Sequence, residues 1–344
     1  IGVTGIRLVG AARLLGDEHY RQAAEHGLHF LQQGHRDVRT NGFAWEINWQ
    51  DGSREVVDAT NYCYGLALSL QAYAQALQAG IGDAEKPLRQ VFKLMDEHFW
   101  EASAGLYADE ADEKWKLSPY RGQNANLHAC EALLSAYEAT SDYAFLERAQ
   151  TLAYNVAVRQ AMLGGGLIWE HYHADWSPDW EYNHDRKASP LRPWGFQPGH
   201  IVQWSRLLLI LERHRSLPWL ALRAEAMFDE TTACAWDEEH GGLFAAFAPD
   251  KSIFDDDKYY WVQAEALSSA ALIAHRRGKE EYWLWYDRIW EYCQTHFLNP
   301  ERGTLFRVLS RNHHPYECDT RSAIRTDFHL INACNEIVRI FDQD

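Results

Sequence analysis

The chain has 344 residues, and its 49 acidic residues against 33 Lys and Arg give a formal net charge of −16. This balance, without a basic cluster, argues against nucleic acid and anionic membranes as partners. Hydrophobic residues make up 47% of the sequence, enough for a large core, but the apolar runs fall far short of the ~20 residues of a membrane span. The six cysteines show no paired spacing, which argues against a zinc knuckle or a disulfide framework.

Aromatic residues are unusually frequent, with 15 Trp, 17 Tyr and 14 Phe. Aromatic faces stack well on the C–H faces of sugars, so this enrichment suggests a carbohydrate site. The alternative is a large aromatic core, which composition alone favours.

A glycine followed by a short apolar and aromatic burst recurs at intervals of about 60 residues, with one longer gap. The glycines of these bursts are Gly42, Gly105, Gly165, Gly241 and Gly303. Between the bursts, apolar residues recur with helical period and predict pairs of helices. In chain order the pairs are residues 64–79 with 88–99, 127–139 with 143–159, 201–213 with 218–228, and 262–275 with 281–297.

The repeat of helix, turn, helix and loop predicts an all-α fold. No β-α-β alternation is present, which argues against a doubly wound sheet. We expect about six helix pairs that close into an (α/α)6 toroid, or barrel, with short β-hairpin-like loops; an open solenoid is the alternative. A single domain over residues 1–344 is expected. Because the sequence starts at Ile1 without Met or a signal peptide, we expect an N-terminally truncated, cytoplasmic protein, and a homo-oligomer is left open.

Polar residues near the starts of three predicted helices are candidates for chemistry. Asn124 and His128 lie one helical turn apart, as do His200 and Gln203. His329 lies near the start of the last predicted helix. The positive end of a helix dipole disfavours imidazolium, so these histidines are expected to be neutral and able to accept a proton near pH 7.

Three histidines at equivalent repeat positions favour a functional role over three separate structural ones. In a toroid the same ends of the helices open onto one cavity. We therefore expect the three imidazoles to converge there.

Residues 169–198 form an insert rich in Trp, Asp and Pro, which we interpret as a lid. His171, His173, Asp175 and His184 in this insert suggest a metal site. A lone His-x-His without a further ligand at matching spacing is a weak signal, however. We expect no metal.

Four motifs carry a resemblance to a known family. They are residues 120–128 (YRGQNANLH), 169–172 (WEHY), 192–200 (RPWGFQPGH) and 326–329 (TDFH). In this order, over nearly the whole chain, they resemble the N-acylglucosamine 2-epimerase superfamily. The closest resemblance is to its aldose–ketose isomerase branch, which includes mannose isomerases and sulfoquinovose isomerase. Such proteins are (α/α)6 barrels, in agreement with the repeat count.

The resemblance also implies roles for single residues. His200 and His329 are implied to be the acid/base pair. The residues implied to contact the sugar or line its pocket are Asn124, His128, Arg192, Tyr64, Trp261 and Glu265. Arg7 is the candidate for an arginine that the family carries on its first helix. Gln203 stands where the family often has Glu and is also expected to contact the sugar.

The implied activity is aldose–ketose isomerisation of a mannose-type sugar through a cis-enediol. This reaction needs a base near neutrality, a donor to the carbonyl oxygen and a charge partner for the enediolate. We expect His329 and His200 to share the base and acid roles, with stacking surface from Trp176, Trp180 and Trp261. No cofactor is expected, because the sequence has no Gly-rich nucleotide motif.

Three other interpretations remain open at this point. The nearest is 2-epimerisation, by the same histidines, of N-acylglucosamine or a glucose-containing saccharide. A glycoside hydrolase or lyase requires two carboxylates that flank the bond, for which Asp109 and Glu110 or Asp175 and Asp179 are candidates. A non-catalytic sugar-binding toroid is the third.

Overall fold

A computed structural model describes residues 6, 8–12, 16–185, 192–301, 303–316 and 323–341, with the side chains of residues 323–327 outside this description. Arg7, the candidate first-helix arginine, lies outside the described residues. Within these ranges, no helix is both long and apolar enough to cross a membrane.

The described chain is mostly helical, as predicted. In chain order its helices are α1 (Glu18–Phe30), α2 (Cys63–Gln78), α3 (Glu85–His98), α4 (Gln123–Thr140), α5 (Tyr143–Tyr154), α6 (Ala161–Leu163), α7 (Pro198–His214), α8 (Pro218–Ala235), α9 (Tyr260–Arg277), α10 (Glu280–Tyr292) and α11 (Ala323–Phe341). The four predicted pairs are present, since α2 packs on α3, α4 on α5, α7 on α8 and α9 on α10.

Two second helices end earlier than predicted because their last turns widen into π-helix. The π-helical segments are Leu31–His35, Asn155–Gln160 and Cys293–Phe297, which follow α1, α5 and α10. Hydrophobic period does not distinguish a π turn from an α turn at a helix end.

The strands are short and pair antiparallel in twos. They are β1 (Glu46–Gln50), β2 (Ser53–Asp58), β3 (Asn61–Tyr62), β4 (Trp100–Glu101), β5 (Leu106–Tyr107), β6 (Glu110–Ala111), β7 (Arg121–Gly122), β8 (His171–Tyr172), β9 (Ala246–Phe247), β10 (Ile253–Asp255), β11 (Lys258–Tyr259), β12 (Leu298–Asn299), β13 (Thr304–Leu305) and β14 (Val308–Leu309). The pairs are β1 with β2, β3 with β6, β4 with β5, β7 with β8, β9 with β10, β11 with β14 and β12 with β13.

Four of the five glycine bursts, those at Gly42, Gly105, Gly241 and Gly303, are tight reversals with one repeated geometry. The bridged pairs are Arg36–Phe43, Trp100–Tyr107, Trp236–Leu243 and Leu298–Leu305. Two residues before the second partner, the backbone is left-handed, with φ of 59°, 65°, 74° and 60° at Asn41, Gly105, Gly241 and Gly303. Glycine and asparagine tolerate this conformation best, which explains the glycine signal in the sequence.

Amide side chains at or just before the following helix hold these reversals. Asn126 accepts a hydrogen bond from the Tyr107 backbone N–H at 2.8 Å and donates to the Tyr107 carbonyl at 2.9 Å. Gln263 makes the same two bonds to Leu243, both at 2.9 Å. The repeated sequence unit is therefore a repeated structural unit.

The first helix of a pair is buried on most sides, while the second is buried on one. In α9, all residues from Val262 to Ala274 are buried, and many are Ala or Ser, which permit close helix packing. In α3 only Leu88, Val91, Leu94 and Met95 are buried, on one stripe.

The chain divides into two compact units. Unit 1 comprises Ile1–Val156 and His171–Asp179, and unit 2 comprises Ala157–Glu170 and Trp180–Asp344. In unit 1, α2 packs against α4. In unit 2, α9 packs against both α7 and α11. The insert 169–198 contributes to both units.

Candidate active site

Two of the predicted histidines of unit 2 lie on the same tryptophan. The ring centroids of His200 and Trp261 are 5.3 Å apart, and those of His329 and Trp261 are 5.0 Å apart. The two histidine side chains keep 15% and 16% of their surface exposed. The predicted acid/base pair therefore comes together, half-buried, around one indole.

The Pro-Gly-His motif has a geometric reason. Pro198 begins α7, where a missing backbone N–H costs nothing. A Cβ on Gly199 would lie 2.3 Å from the Trp261 ring, so only glycine permits this packing. The motif thereby places the Trp261 indole beside His200.

His200 pairs with a carboxylate from the insert. Its Nδ1 lies 3.0 Å from Glu170 Oε2, and the Glu170 side chain is only 4% exposed. Sequence reasoning missed this role, although Glu170 stands in the motif 169–172. The carboxylate partner of His200 thus comes from residue 170, while Gln203, in the next turn of α7, is fully buried.

An aromatic cluster fixes the backbone next to Glu170. Trp169 is fully buried, with ring centroids 4.6 Å from Trp180, 5.6 Å from Trp194 and 5.1 Å from Phe196. The Trp194 indole N–H donates to the Trp180 carbonyl at 2.5 Å. In this region the aromatic enrichment forms core, and it holds residues 169–170 close to the start of α7.

His329 also pairs with a carboxylate, Glu265, which in turn forms an ion pair with Arg206. Glu265 Oε1 lies 2.7 Å from His329 Nδ1, and Arg206 Nε donates to Glu265 Oε2 at 2.8 Å. Glu265 and Arg206 are 0% and 2% exposed. Burial opposes ionisation of Glu265, but Arg206 and His329 outweigh it and hold the pKa of this carboxyl below its ordinary value.

Both imidazoles are therefore oriented through Nδ1. A carboxylate that accepts a hydrogen bond at Nδ1 selects the tautomer with the proton there, which leaves Nε2 as the proton-exchanging nitrogen. The sequence prediction relied on helix dipoles alone to tune these histidines. The structure adds a buried carboxylate to each, and a carboxylate stabilises the imidazolium that forms on proton transfer.

Two further predicted site residues lie in unit 2. Arg192 donates to the Tyr182 hydroxyl at 3.1 Å and accepts from Asn183 through its backbone carbonyl. Trp180 is 36% exposed, and its ring packs at a tilted angle against Trp169. Both have structural contacts, and their contact with a sugar stays a prediction.

Tyr64, His128 and Asn124 lie in unit 1. The Tyr64 and His128 rings meet edge to face at 4.8 Å, and Trp45, which sequence reasoning did not select, lies 6.3 Å from Tyr64. The buried Oδ1 of Asn124 has no hydrogen-bond partner within the part of the chain that the structure describes. A buried amide oxygen of this kind has the capacity to accept a hydrogen bond from a bound hydroxyl.

The unit 1 part of the insert has its own contacts. Trp176 is 7% exposed and its indole N–H donates to Glu101 Oε2 at 2.8 Å. Glu101 in turn accepts from Arg121. These bonds give Trp176 a structural role, and its predicted stacking on a sugar is untested.

The histidines considered for a metal have other partners. His171 Nδ1 lies 2.9 Å from the Tyr120 hydroxyl, and His173 Nδ1 lies 3.5 Å from Asp179. Among the described residues, the cluster of three ligand-type side chains is Asp255, Asp256 and Asp257. It consists of carboxylates alone and includes none of the insert histidines.

Two imidazoles that each pair with a buried carboxylate, in a protein built from paired helices, are an arrangement suited to proton transfer on a small organic substrate. The family model for N-acylglucosamine 2-epimerase matches residues 9–333. The chain belongs to this family.

Individual relatives agree with this assignment. D-mannose isomerase from Marinomonas mediterranea is 41% identical over 322 residues, covering 93% of this chain and 80% of the relative. A crystal structure of a D-mannose isomerase superimposes with a TM-score of 0.93 and 39% identity, covering 98% of this chain and 87% of that one. Cellobiose 2-epimerase from Dictyoglomus turgidum is 23% identical over 352 residues, covering 94% of this chain and 82% of the relative. The protein is an enzyme of the sugar isomerase and epimerase type.

Proposed function

We propose that the protein interconverts a mannose-type aldose and its ketose, with His200 and His329 as the acid/base pair. The observation that carries the proposal is the contact of both imidazoles with Trp261, at 5.3 and 5.0 Å. The similarity to D-mannose isomerases at 41% identity supports the substrate class.

The reaction needs only proton movements. One histidine removes the proton from C2 of the open-chain aldose, while the carbonyl oxygen at C1 receives a proton, which gives the cis-enediol. The O2 hydroxyl then loses its proton as C1 gains one, so that the carbonyl moves to C2 and no atom is lost. A base with a pKa near neutrality serves both halves of this cycle.

The carboxylates make each imidazole suited to this task. Glu170 and Glu265 fix the Nδ1–H tautomer and stabilise positive charge on the ring after it takes up a proton. Trp261 supplies an aromatic ring next to both imidazoles, suited to the C–H face of a sugar. Asn124, His128, Tyr64, Arg192 and Arg7 complete the proposed set of sugar contacts. Stacking by Trp176 and Trp180 belongs to the same proposal.

The second candidate is 2-epimerisation, in which the proton returns to C2 from the opposite face. The similarity to a cellobiose 2-epimerase supports 2-epimerisation as the second candidate reaction. Hydrolysis is disfavoured, because Glu170 and Glu265 are bound to histidines and Glu265 also to Arg206. Of the carboxylates considered for hydrolysis, Asp109 accepts from the Gly122 backbone N–H and Asp175 from Ser177, whereas hydrolysis requires two carboxylates that flank the bond.

The proposal extends to the fold, as an (α/α)6 toroid with residues 169–198 as its lid. Support comes from the family membership and from the consecutive packing of α7, α9 and α11. Proton transfer through an enediolate benefits from a lid, because excluding water strengthens each electrostatic contact.

Proton NMR in D2O tests the proposal. D-Mannose, D-glucose, D-fructose, N-acetylglucosamine and cellobiose are each incubated with the protein. We expect mannose to give fructose with deuterium at C1. Conversion of mannose to glucose, or of cellobiose to its epimer, with deuterium at C2, would establish the epimerase instead. Absence of exchange and conversion across the panel would overturn both.

A further inference from the structure

The buried guanidinium of Arg206 binds the Glu265 oxygen that does not face His329. The reaction itself does not require Arg206 to contact the sugar. We propose that Arg206 is a positioning residue that keeps Glu265 ionised and aimed at His329 Nδ1. The proposal rests on the proposed acid/base role of His329.

The geometry divides the two oxygens of Glu265 between two donors. Oε2 accepts from Arg206 Nε at 2.8 Å, and Oε1 faces His329 Nδ1 at 2.7 Å. Neither Glu265 nor Arg206 is open to water, at 0% and 2% exposure. Arg206 therefore fixes the rotation of the carboxylate as well as its charge.

The charge of Glu265 decides the tautomer of His329. An ionised carboxylate only accepts, so Nδ1 must carry the proton and Nε2 is the base. A protonated Glu265 would donate to Nδ1 instead, which leaves the imidazole proton on Nε2 and removes the base. A carboxyl that is buried without a cation favours its protonated form.

The permanent positive charge next to Glu265 comes from one helix, α7, which carries Arg206. Among the described residues, the charged and titratable groups with the largest effect on it are Arg206 from α7 and His329 from α11. His200 lies across Trp261 and has Glu170 as its carboxylate. Arg206 is thus the permanent charge that holds the Glu265–His329 pair in its working protonation state.

The same helix provides a matched control. Arg213 lies on α7 and pairs with Glu336 on α11 at 2.6 Å. This pair joins α7 to α11, whereas Arg206 joins α7 to Glu265 on α9, so it does not involve Glu265. Arg213→Gln therefore reports what the loss of an α7–α11 ion pair does by itself.

The experiment compares Arg206→Gln, Arg206→Lys and Arg213→Gln with the wild type. For Arg206→Gln we expect kcat to fall about 10- to 100-fold, the range for loss of a supporting partner, with a displaced pH profile. Arg206→Lys is expected to retain part of the wild-type rate, because lysine keeps the positive charge but lacks the planar guanidinium that orients the carboxylate. Arg213→Gln is expected to keep the wild-type profile. A wild-type profile for Arg206→Gln would overturn the proposal.

Nitrogen-15 NMR of the His329 ring gives a readout that needs no turnover. The wild type is expected to show the proton on Nδ1 at neutral pH, and Arg206→Gln to lose that state. If Arg206→Gln fails to fold, the neutral pair Arg206→Met with Glu265→Gln replaces it, since removing both charges of a buried pair is often tolerated. An unchanged Nδ1–H tautomer in Arg206→Gln, or a wild-type kcat in the double variant without the Glu265 charge, contradicts the role of Arg206. Absence of isomerisation by the wild type would instead contradict the proposed function.

Discussion

His200 and His329, far apart in the sequence, contact the same indole, that of Trp261. Each is held at Nδ1 by a buried glutamate, Glu170 or Glu265. Because the two contacts share one ring, the positions of the two imidazoles depend on each other.

Replacing His329 by Asn tests its role in proton transfer. Asparagine is polar and of similar size but does not exchange a proton near pH 7. We expect kcat to fall by about 10²- to 10⁴-fold, the usual contribution of acid/base catalysis, with an unchanged circular dichroism spectrum. His19→Asn is the control, since this side chain is 94% exposed. Wild-type turnover in the His329 variant would rule out the assignment.

Glu170→Gln removes the negative charge next to His200 and retains the shape of the side chain. We expect a fall in kcat of about 10- to 100-fold with a smaller change in KM, because the glutamate acts through the imidazole. The pH dependence of kcat should change as well, since the imidazolium of His200 loses its counter-charge. A change confined to KM would indicate a direct sugar contact instead.

Gly199→Ala tests the packing of Trp261. The added Cβ would lie 2.3 Å from the indole, so the ring must move from its place next to His200. We expect lower activity together with a change in tryptophan fluorescence. Gly27→Ala is the control, because its Cβ meets nothing within 4 Å, and it is expected to stabilise α1 by up to about 1 kcal/mol. Equal effects of the two substitutions would count against the steric argument.

Asn126→Ala tests the amide that holds the Tyr107 reversal. The substitution leaves the buried N–H and carbonyl of Tyr107 without that partner. Each such loss costs about 1–3 kcal/mol, so we expect a clear decrease in the free energy of unfolding in urea. The exposed Asn48→Ala should stay within about 0.5 kcal/mol of the wild type. A small effect at Asn126 would show that water replaces the side chain.

The Asp237–Lys258 ion pair predicts acid sensitivity. Burial opposes ionisation of Asp237, but Arg311 and Lys258 outweigh it and lower its pKa. A carboxyl with a folded pKa below the unfolded value of about 3.9 stabilises the protein above that pH, and this contribution is lost as the pH falls through the folded value.

Asp237→Asn should therefore lower the melting temperature at pH 7, because it leaves Lys258 buried without its carboxylate, a change worth about 3–5 kcal/mol. Between pH 5 and pH 3, the Asp237→Asn variant should lose less stability than the wild type does, because the titrating carboxyl is gone. Asp17→Asn, at an exposed N-cap where Asn serves as well as Asp, is the control. An acid response identical to that of the wild type would contradict the prediction.

The amino-acid sequence determined the local features of the protein. The helical period predicted the four helix pairs, and the glycines marked the reversals because left-handed φ values at Gly105, Gly241 and Gly303 disfavour other residues. The motif at residues 198–200 indicated His200. These features depend on backbone conformation and on the pattern of neighbouring residues, so they can be read along the chain.

Only the tertiary structure decided which carboxylate serves which histidine. Glu170 is 30 residues from His200, and Glu265 is 64 residues from His329 and 59 from Arg206. No periodicity connects such positions, and in a chain with 49 acidic residues the composition does not distinguish these two. Their roles arise because tertiary packing removes both from water: α7, α9 and α11 pack around Glu265, and the insert places Glu170 next to the start of α7. A buried carboxylate requires a hydrogen-bonded partner.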